Sequence, residues 1–250
     1  MKLPATPPVR TTRTLVAALL ATGVLVFVTA CGEPASPQQA ARTPTPAQTA
    51  PPASSTVPPQ LTRAESAAED VIGFLESREP AKSKAEAGVL ANLAHGQTAT
   101  VLDLAGVPAL RIKAFQQRAE RTRRLSSSSA RPLAVSLAAN SVSQLMPRFY
   151  ARYHDPVPPG VLKLDYLDRE VELRSKAGQR PKVRRAVLNL EATWDQIRRR
   201  LIRRGGAKVA RAYDRHVRKL ERGATAAAIQ RQAVHGLDLI DKMEGVFLGK

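Results

Sequence analysis

Beyond residue 60, apolar residues recur along most of the chain at helical spacing. The pattern is clearest over 181–204, where Val183, Val187, Leu190, Trp194, Ile197 and Leu201 step by four and three. That stepping keeps side chains on one face of a 3.6-residue helix. Gly205-Gly206 ends it. Residues 163–177 place Leu164, Leu167 and Val171 on one stripe, with Gly178 after them. Residues 207–222 do the same with Val209, Tyr213, Val217 and Leu220, up to Gly223. A last helix is predicted over 224–248, carried by Ile229, Ala233, Leu237, Ile240, Met243 and Phe247.

The earlier segments are less regular. Thr62-Arg63-Ala64-Glu65 reads as a capping box opening a helix to Glu79, with Pro80 as its stop. Val71, Ile72 and Leu75 form its stripe. Ser83-Lys84-Ala85-Glu86 reads as a second capping box, followed by Val89, Leu90 and Leu93 and stopped by Gly96. Residues 97–106 favour neither helix nor loop. Pro108 suits the first turn of a helix reaching Leu125, and Ser126 to Ser129 reads as a loop. A helix over 131–153 is expected to kink at Pro147. His154-Asp155-Pro156-Val157-Pro158-Pro159-Gly160 is a hard break.

The predicted fold class is therefore all-α: antiparallel helices in one or two bundles, with an N-terminal half over 61–155 and a C-terminal half over 161–250. Low Gly content and abundant Ala and Leu favour helix over strand. The halves share an outline of four helices each. A duplicated four-helix unit and chance similarity among Ala-rich helices both stay open.

The N-terminus is different in kind. Lys2, Arg10 and Arg13 precede seventeen uncharged residues, Thr14 to Ala30, and then Cys31. A positive start, an apolar run and small residues at the cleavage point make a secretory signal. With Cys directly after Val28-Thr29-Ala30, the stretch resembles the bacterial lipoprotein class. That resemblance covers the first 31 residues. It implies removal of 1–30 and a lipid on Cys31, which would place the protein outside the cytoplasm, anchored to a membrane. An uncleaved signal anchor is the alternative, since seventeen residues reach only the lower end of the ~17–25 needed to span. Residues 31–60 form a Pro/Ala/Thr/Ser/Gln-rich linker whose composition predicts disorder. Its reach is roughly 30 Å as a coil and ~90 Å as polyproline II. Farther along, LDYLDRE (164–170), the Trp194 helix and the ending Leu239-Ile240-Asp241-Lys242-Met243-Glu244 resemble exported helical-bundle proteins of GC-rich bacteria. This second resemblance implies no activity and carries over no functional residue.

Charge narrows the choice of partners. The chain carries a net +18, and residues 61–250 keep 35 basic against 20 acidic side chains. Such a surface attracts polyanions. Outside the membrane the available anions are lipid headgroups, wall polymers and acidic proteins. Nucleic acid is not expected, because the signal sends the chain out and stacking aromatics are scarce. The densest cations are Arg198, Arg199, Arg200, Arg203 and Arg204, followed by Arg211, Arg215 and Arg218, and these are the candidate polyanion-binding residues. A merely solvated face and helix C-terminal stabilisation are the competing readings. A second basic run spans Arg111 to Arg131.

Catalytic chemistry finds little support. The only Cys is Cys31, so the mature domain has no thiol nucleophile and no disulfide. No Gly-x-Ser-x-Gly elbow occurs. No catalytic residue and no cofactor are expected, and the chain reads as a non-enzymatic binding or scaffold module. A metal- or small-ligand-binding bundle is the alternative. It would use His216 with His235 and Asp238, which are neighbours at i, i+3 on one helix. Asp241 and Glu244 extend that acidic row. Trp194, at a core position of its helix, is expected to pack rather than to line a pocket.

Overall fold

The computed structural model describes residues 56–223 and 225–249, which fall in one compact unit. The stretch read as a lipoprotein signal, Cys31 and nearly all of the Pro/Ala-rich stretch lie outside the described residues. Among the described residues the fold is all-α: α1 (Pro59–Glu76), α2 (Pro80–His95), α3 (Gln97–Leu104), α4 (Ala109–Ser126), α5 (Pro132–Ser143), α6 (Met146–Tyr150), α7 (Pro159–Lys176), α8 (Arg180–Arg203), α9 (Ala207–Glu221) and α10 (Ala226–Leu248). None of these helices is long and apolar enough to cross a membrane.

Proline sets most of the starts. Six helices (α1, α2, α5, α6, α7 and α8) have a proline in the first turn. Its fixed φ suits that position, and its missing N–H would have had no helical partner there. Both expected capping boxes are corrected for this reason. Pro59 starts α1 before Thr62, and Pro80 opens α2 instead of closing α1. Thr62 and Ser83 therefore lie inside helices. Ser83 Oγ donates to the Val71 carbonyl across the α1–α2 interface at 2.9 Å. Likewise Pro147 stands at the start of α6, so the expected kink is a break between α5 and α6. Residues 97–104, which favoured neither state, are α3.

Each half closes a ring of four helices. In the first, α1 packs on α2 and α5, and α4 packs on the same two. In the second, α7 packs on α8 and α10, and α9 packs on the same two. The short α3 and α6 are links. Two apolar cores result. One gathers Leu61, Leu90, Leu102, Phe115, Met146 and Phe149. The other gathers Leu164, Leu190, Trp194, Leu201, Tyr213 and Met243.

α7 joins the halves, because it also touches α5 and α6. Leu173 leaves its own ring and packs with Val71, Ile72, Ala87, Val135 and Ala139 of the first half. With neighbours on several sides, α7 buries polar residues as well as apolar ones: Asp168, Glu172 and Ser175 are all buried. The sequence LDYLDRE thus belongs to an interior helix, not to an amphipathic one.

Candidate functional site

The C-terminal half carries a groove of about 580 Å³ between α9 and α10. Arg215, Arg218, Lys219 and Arg222 enter it from α9, and Arg231 from α10. No carboxylate lines it. Positions 215, 218, 219 and 222 share one side of α9 because they follow the i, i+3, i+4, i+7 rule. The opposite side carries Ala210, Tyr213, Val217 and Leu220 into the core. Part of this clustering stabilises α9 itself, whose last turn holds Arg218 and Lys219 beside the negative helix end. The remainder is net positive potential concentrated in a concavity, which focuses the field on an incoming anion.

The floor of the groove rests on a chain of buried polar groups. Gln232 of α10 lines the groove, and its Nε2 lies 2.8 Å from His216 Nδ1. His216 Nε2 lies 2.8 Å from Asp168 Oδ1, and Tyr213 Oη donates to Asp168 Oδ2 at 2.8 Å. One proton placement satisfies the row. Nε2–H of His216 donates to the carboxylate, and Nδ1 then accepts from the Gln232 amide. Burial pushes the Asp168 carboxyl up, while His216 and Tyr213 pull it down. The Tyr213 hydroxyl is pushed well up by burial and by the Asp168 charge. Gly236 makes room for the pair, since a Cβ there would collide with the Asp168 carboxylate.

The predicted site residues separate. Arg215 and Arg218 line the groove. Arg198 is engaged elsewhere: its Nε and Nη2 donate to the two oxygens of Asp214 at 2.9 Å each. That bidentate bond holds the Asp214 carboxyl below its ordinary range. Asp214 also accepts from Trp194 Nε1 at 2.9 Å, and the indole packs on the Tyr213 ring. Trp194 is thus a core residue. Arg200 stands over the Phe247 ring at 5.9 Å. Arg199, Arg203, Arg204 and Arg211 are exposed and lie outside the groove.

The triad His216, His235 and Asp238 is not brought together. His216 is buried against Asp168, whereas His235 and Asp238 are exposed on α10. His216 spends both ring nitrogens on Asp168 and Gln232, and no metal-competent group of three His, Cys, Asp or Glu occurs among the described residues.

Asp241 and Glu244 instead face a second concavity, of about 270 Å³, where α1, α7 and α10 meet. Glu65 and Glu69 reach it from α1, and Asp165 and Arg169 from α7. Burial raises Glu65 to about 7, opposed by the hydrogen bond that Tyr150 Oη donates to it. Burial and the Asp165 charge raise Glu69 to about 9 against the pull of Arg169. Burial, then Asp165 and Asp241, raise Glu244 to about 7. Arg169 is the lone cation lining this cleft, 3.3 Å from Asp165 and 3.7 Å from Glu69.

Sequence reasoning missed Arg231, Gln232 and the acidic cleft. The pair Glu65 and Glu69 at i, i+4 was visible as two like charges beside the buried Ala64 and Ala68, but its partners lie about one hundred and one hundred and eighty residues away. Compared with protein-family models, with curated proteins and with solved structures, the chain matches none of them.

Proposed function

We propose that this chain is a non-enzymatic binding protein of the bacterial cell envelope, lipid-anchored through Cys31. In this reading its helical body takes up an anionic envelope component in the groove between α9 and α10. The observation that carries the reading is five cationic side chains around one concavity with no carboxylate in its wall. The anchor rests on the signal-like stretch Thr14 to Gly32, and the long linker would let the domain stand clear of the bilayer. Phosphate- or carboxylate-rich ligands fit such a wall, because charge-assisted hydrogen bonds to guanidinium groups are short and directional. The buried Tyr213–Asp168–His216–Gln232 row supports the reading by fixing α9 and α10 against α7, so the groove is preorganised.

The test is calorimetric titration of polyphosphate into the chain at rising salt. Binding should weaken steeply with ionic strength, since ions screen exposed charges over ~8 Å at physiological salt. Arg218→Glu with Arg222→Glu should lower affinity at least about tenfold, a change of ~1.4 kcal/mol. Salt-independent binding, or binding indifferent to this double change, would overturn the reading. The anchor has its own test: the chain should partition with membranes, and Cys31→Ser should release it.

A further inference from the structure

The cationic groove has an apolar neighbour. A third cleft, of about 470 Å³, opens where the end of α7, the first half of α8, the end of α9 and the start of α10 meet. Val183, Val187, Leu188, Leu220 and Ile229 line its apolar part, and Arg180, Arg184 and the carboxylate of Glu221 stand in its wall. Gly223 belongs to the walls of both concavities. A Cβ on Gly223 would run into the Ile229 side chain, so a glycine is needed in this shared wall. Leu188 is 58% exposed at the cleft, an apolar side chain this large left facing water next to a concentration of positive charge. Both volumes lie within the ~300–1,000 Å³ typical of small-molecule sites, where apolar walls supply affinity and a few charges fix orientation.

We propose that the two concavities form one site for an anionic amphiphile. A phosphate-bearing headgroup occupies the groove among Arg215, Arg218, Arg222 and Arg231. A single acyl or alkyl chain passes Gly223 and covers Val187, Leu188 and Ile229. The inference rests on the groove being an anion site, and it adds the apolar half of the ligand. A fully water-soluble polyanion would satisfy the cations and leave the cleft unfilled. A neutral lipid would fill the cleft and leave the cations without a partner.

Titration of ethyl, octyl and dodecyl phosphate, each below its micelle concentration, separates these cases. The full chain is used with Cys31→Ser, so that no lipid of its own competes. Each methylene fully removed from water raises affinity about fourfold, so dodecyl phosphate should bind at least about tenfold tighter than ethyl phosphate. Dodecylphosphocholine, with the same tail and a cancelled charge, should bind more weakly than dodecyl phosphate. Leu188→Gln, a change at an exposed position that leaves the core intact, should weaken dodecyl phosphate at least about threefold and leave ethyl phosphate and tripolyphosphate unchanged. Arg218→Glu with Arg222→Glu should weaken all the phosphates. Equal affinity along the alkyl series, or indifference to Leu188→Gln, overturns the amphiphile while tripolyphosphate binding leaves the anion site standing. If tripolyphosphate fails to bind as well, the groove reading falls and this inference falls with it.

Discussion

The two halves of the molecule use the same ring of four helices and fill it differently. The fully buried polar side chains of the first half, Ser83, Thr98, Thr122, Ser136, Asn140 and Ser143, are all uncharged, and across residues 61–160 its 13 basic and 9 acidic residues nearly balance. The second ring is threaded by a row of buried polar groups and carries 22 basic against 11 acidic residues over 161–250. Even their first turns correspond. α1 is followed by Arg78 at φ 61° and a Glu79 N–H bond to the Phe74 carbonyl at 2.7 Å. α7 ends with Gly178 at φ 68° and a Gln179 N–H bond to the Arg174 carbonyl at 2.9 Å. Shared architecture with divergent filling shows that the ring tolerates different interiors and different surface charge.

Five substitutions and one pH profile probe that contrast. The largest effect is expected from Asp168→Ala. It leaves Tyr213 Oη and His216 Nε2 buried without their acceptor, a loss of ~3–5 kcal/mol. Denaturant unfolding should show it, and Gly236→Ala should destabilise through the same carboxylate. An effect under about 1 kcal/mol, the size of one ordinary hydrogen bond, would remove the polar row as the organiser of the second ring.

Next comes the acidic cleft at the seam between the halves. Glu65, Glu69 and Glu244 all have folded-state values raised above the ordinary 4.5. The native state therefore holds protons that the unfolded chain has released. Stability is fullest below about pH 4.5 and is lost progressively as pH rises through about 7 and on toward 9. Each tenfold change in proton affinity is worth about 1.4 kcal/mol, so the raised carboxyl of Glu65 alone accounts for a loss on the order of 3 kcal/mol. Thermal melts should shift downward over that window, and Glu69→Gln should flatten the profile and exceed the parent in stability at its alkaline end. A melting temperature that rises from neutral to alkaline pH would contradict this.

Ser83→Ala removes one buried hydrogen bond in the first ring and should cost only ~1 kcal/mol. Arg78→Gly should do the reverse. It relieves a left-handed arginine and copies the turn of the second half, for a gain of up to about 1 kcal/mol less the added freedom of the unfolded chain. A loss on this substitution would mean that the two turns are not equivalent.

The second half was the more legible in sequence. Gly178, Gly205-Gly206 and Gly223 bracket strong 3.6-residue stripes, and the expected spans 181–204 and 207–222 fall within a residue of α8 and α9. In the first half, side chains that imitate caps sit one turn inside helices that proline had already started. Glu65 serves the acidic cleft, and Glu86 accepts from Arg63 at 2.6 Å. The groove was half legible. The density of cations along α9 pointed to Arg215 and Arg218, but equally to Arg211, which lies outside the groove. Arg231 and Gln232 come from another helix, and only the docking of α10 brings them there. Arg198 misled because Asp214, its partner, lies sixteen residues away on α9.

On the proposed reading, place and not total charge lets the second half bind anions. Two triple variants test it with equal changes in net charge. One reverses Arg215, Arg218 and Arg222 to glutamate in the groove. The other reverses Arg111, Arg121 and Arg124, which are exposed on α4 of the first half. Polyphosphate affinity measured across salt should drop at least about tenfold, with a flatter salt dependence, for the groove variant alone. Equal losses in both variants would contradict the claim and reduce the groove to one part of a uniformly positive surface.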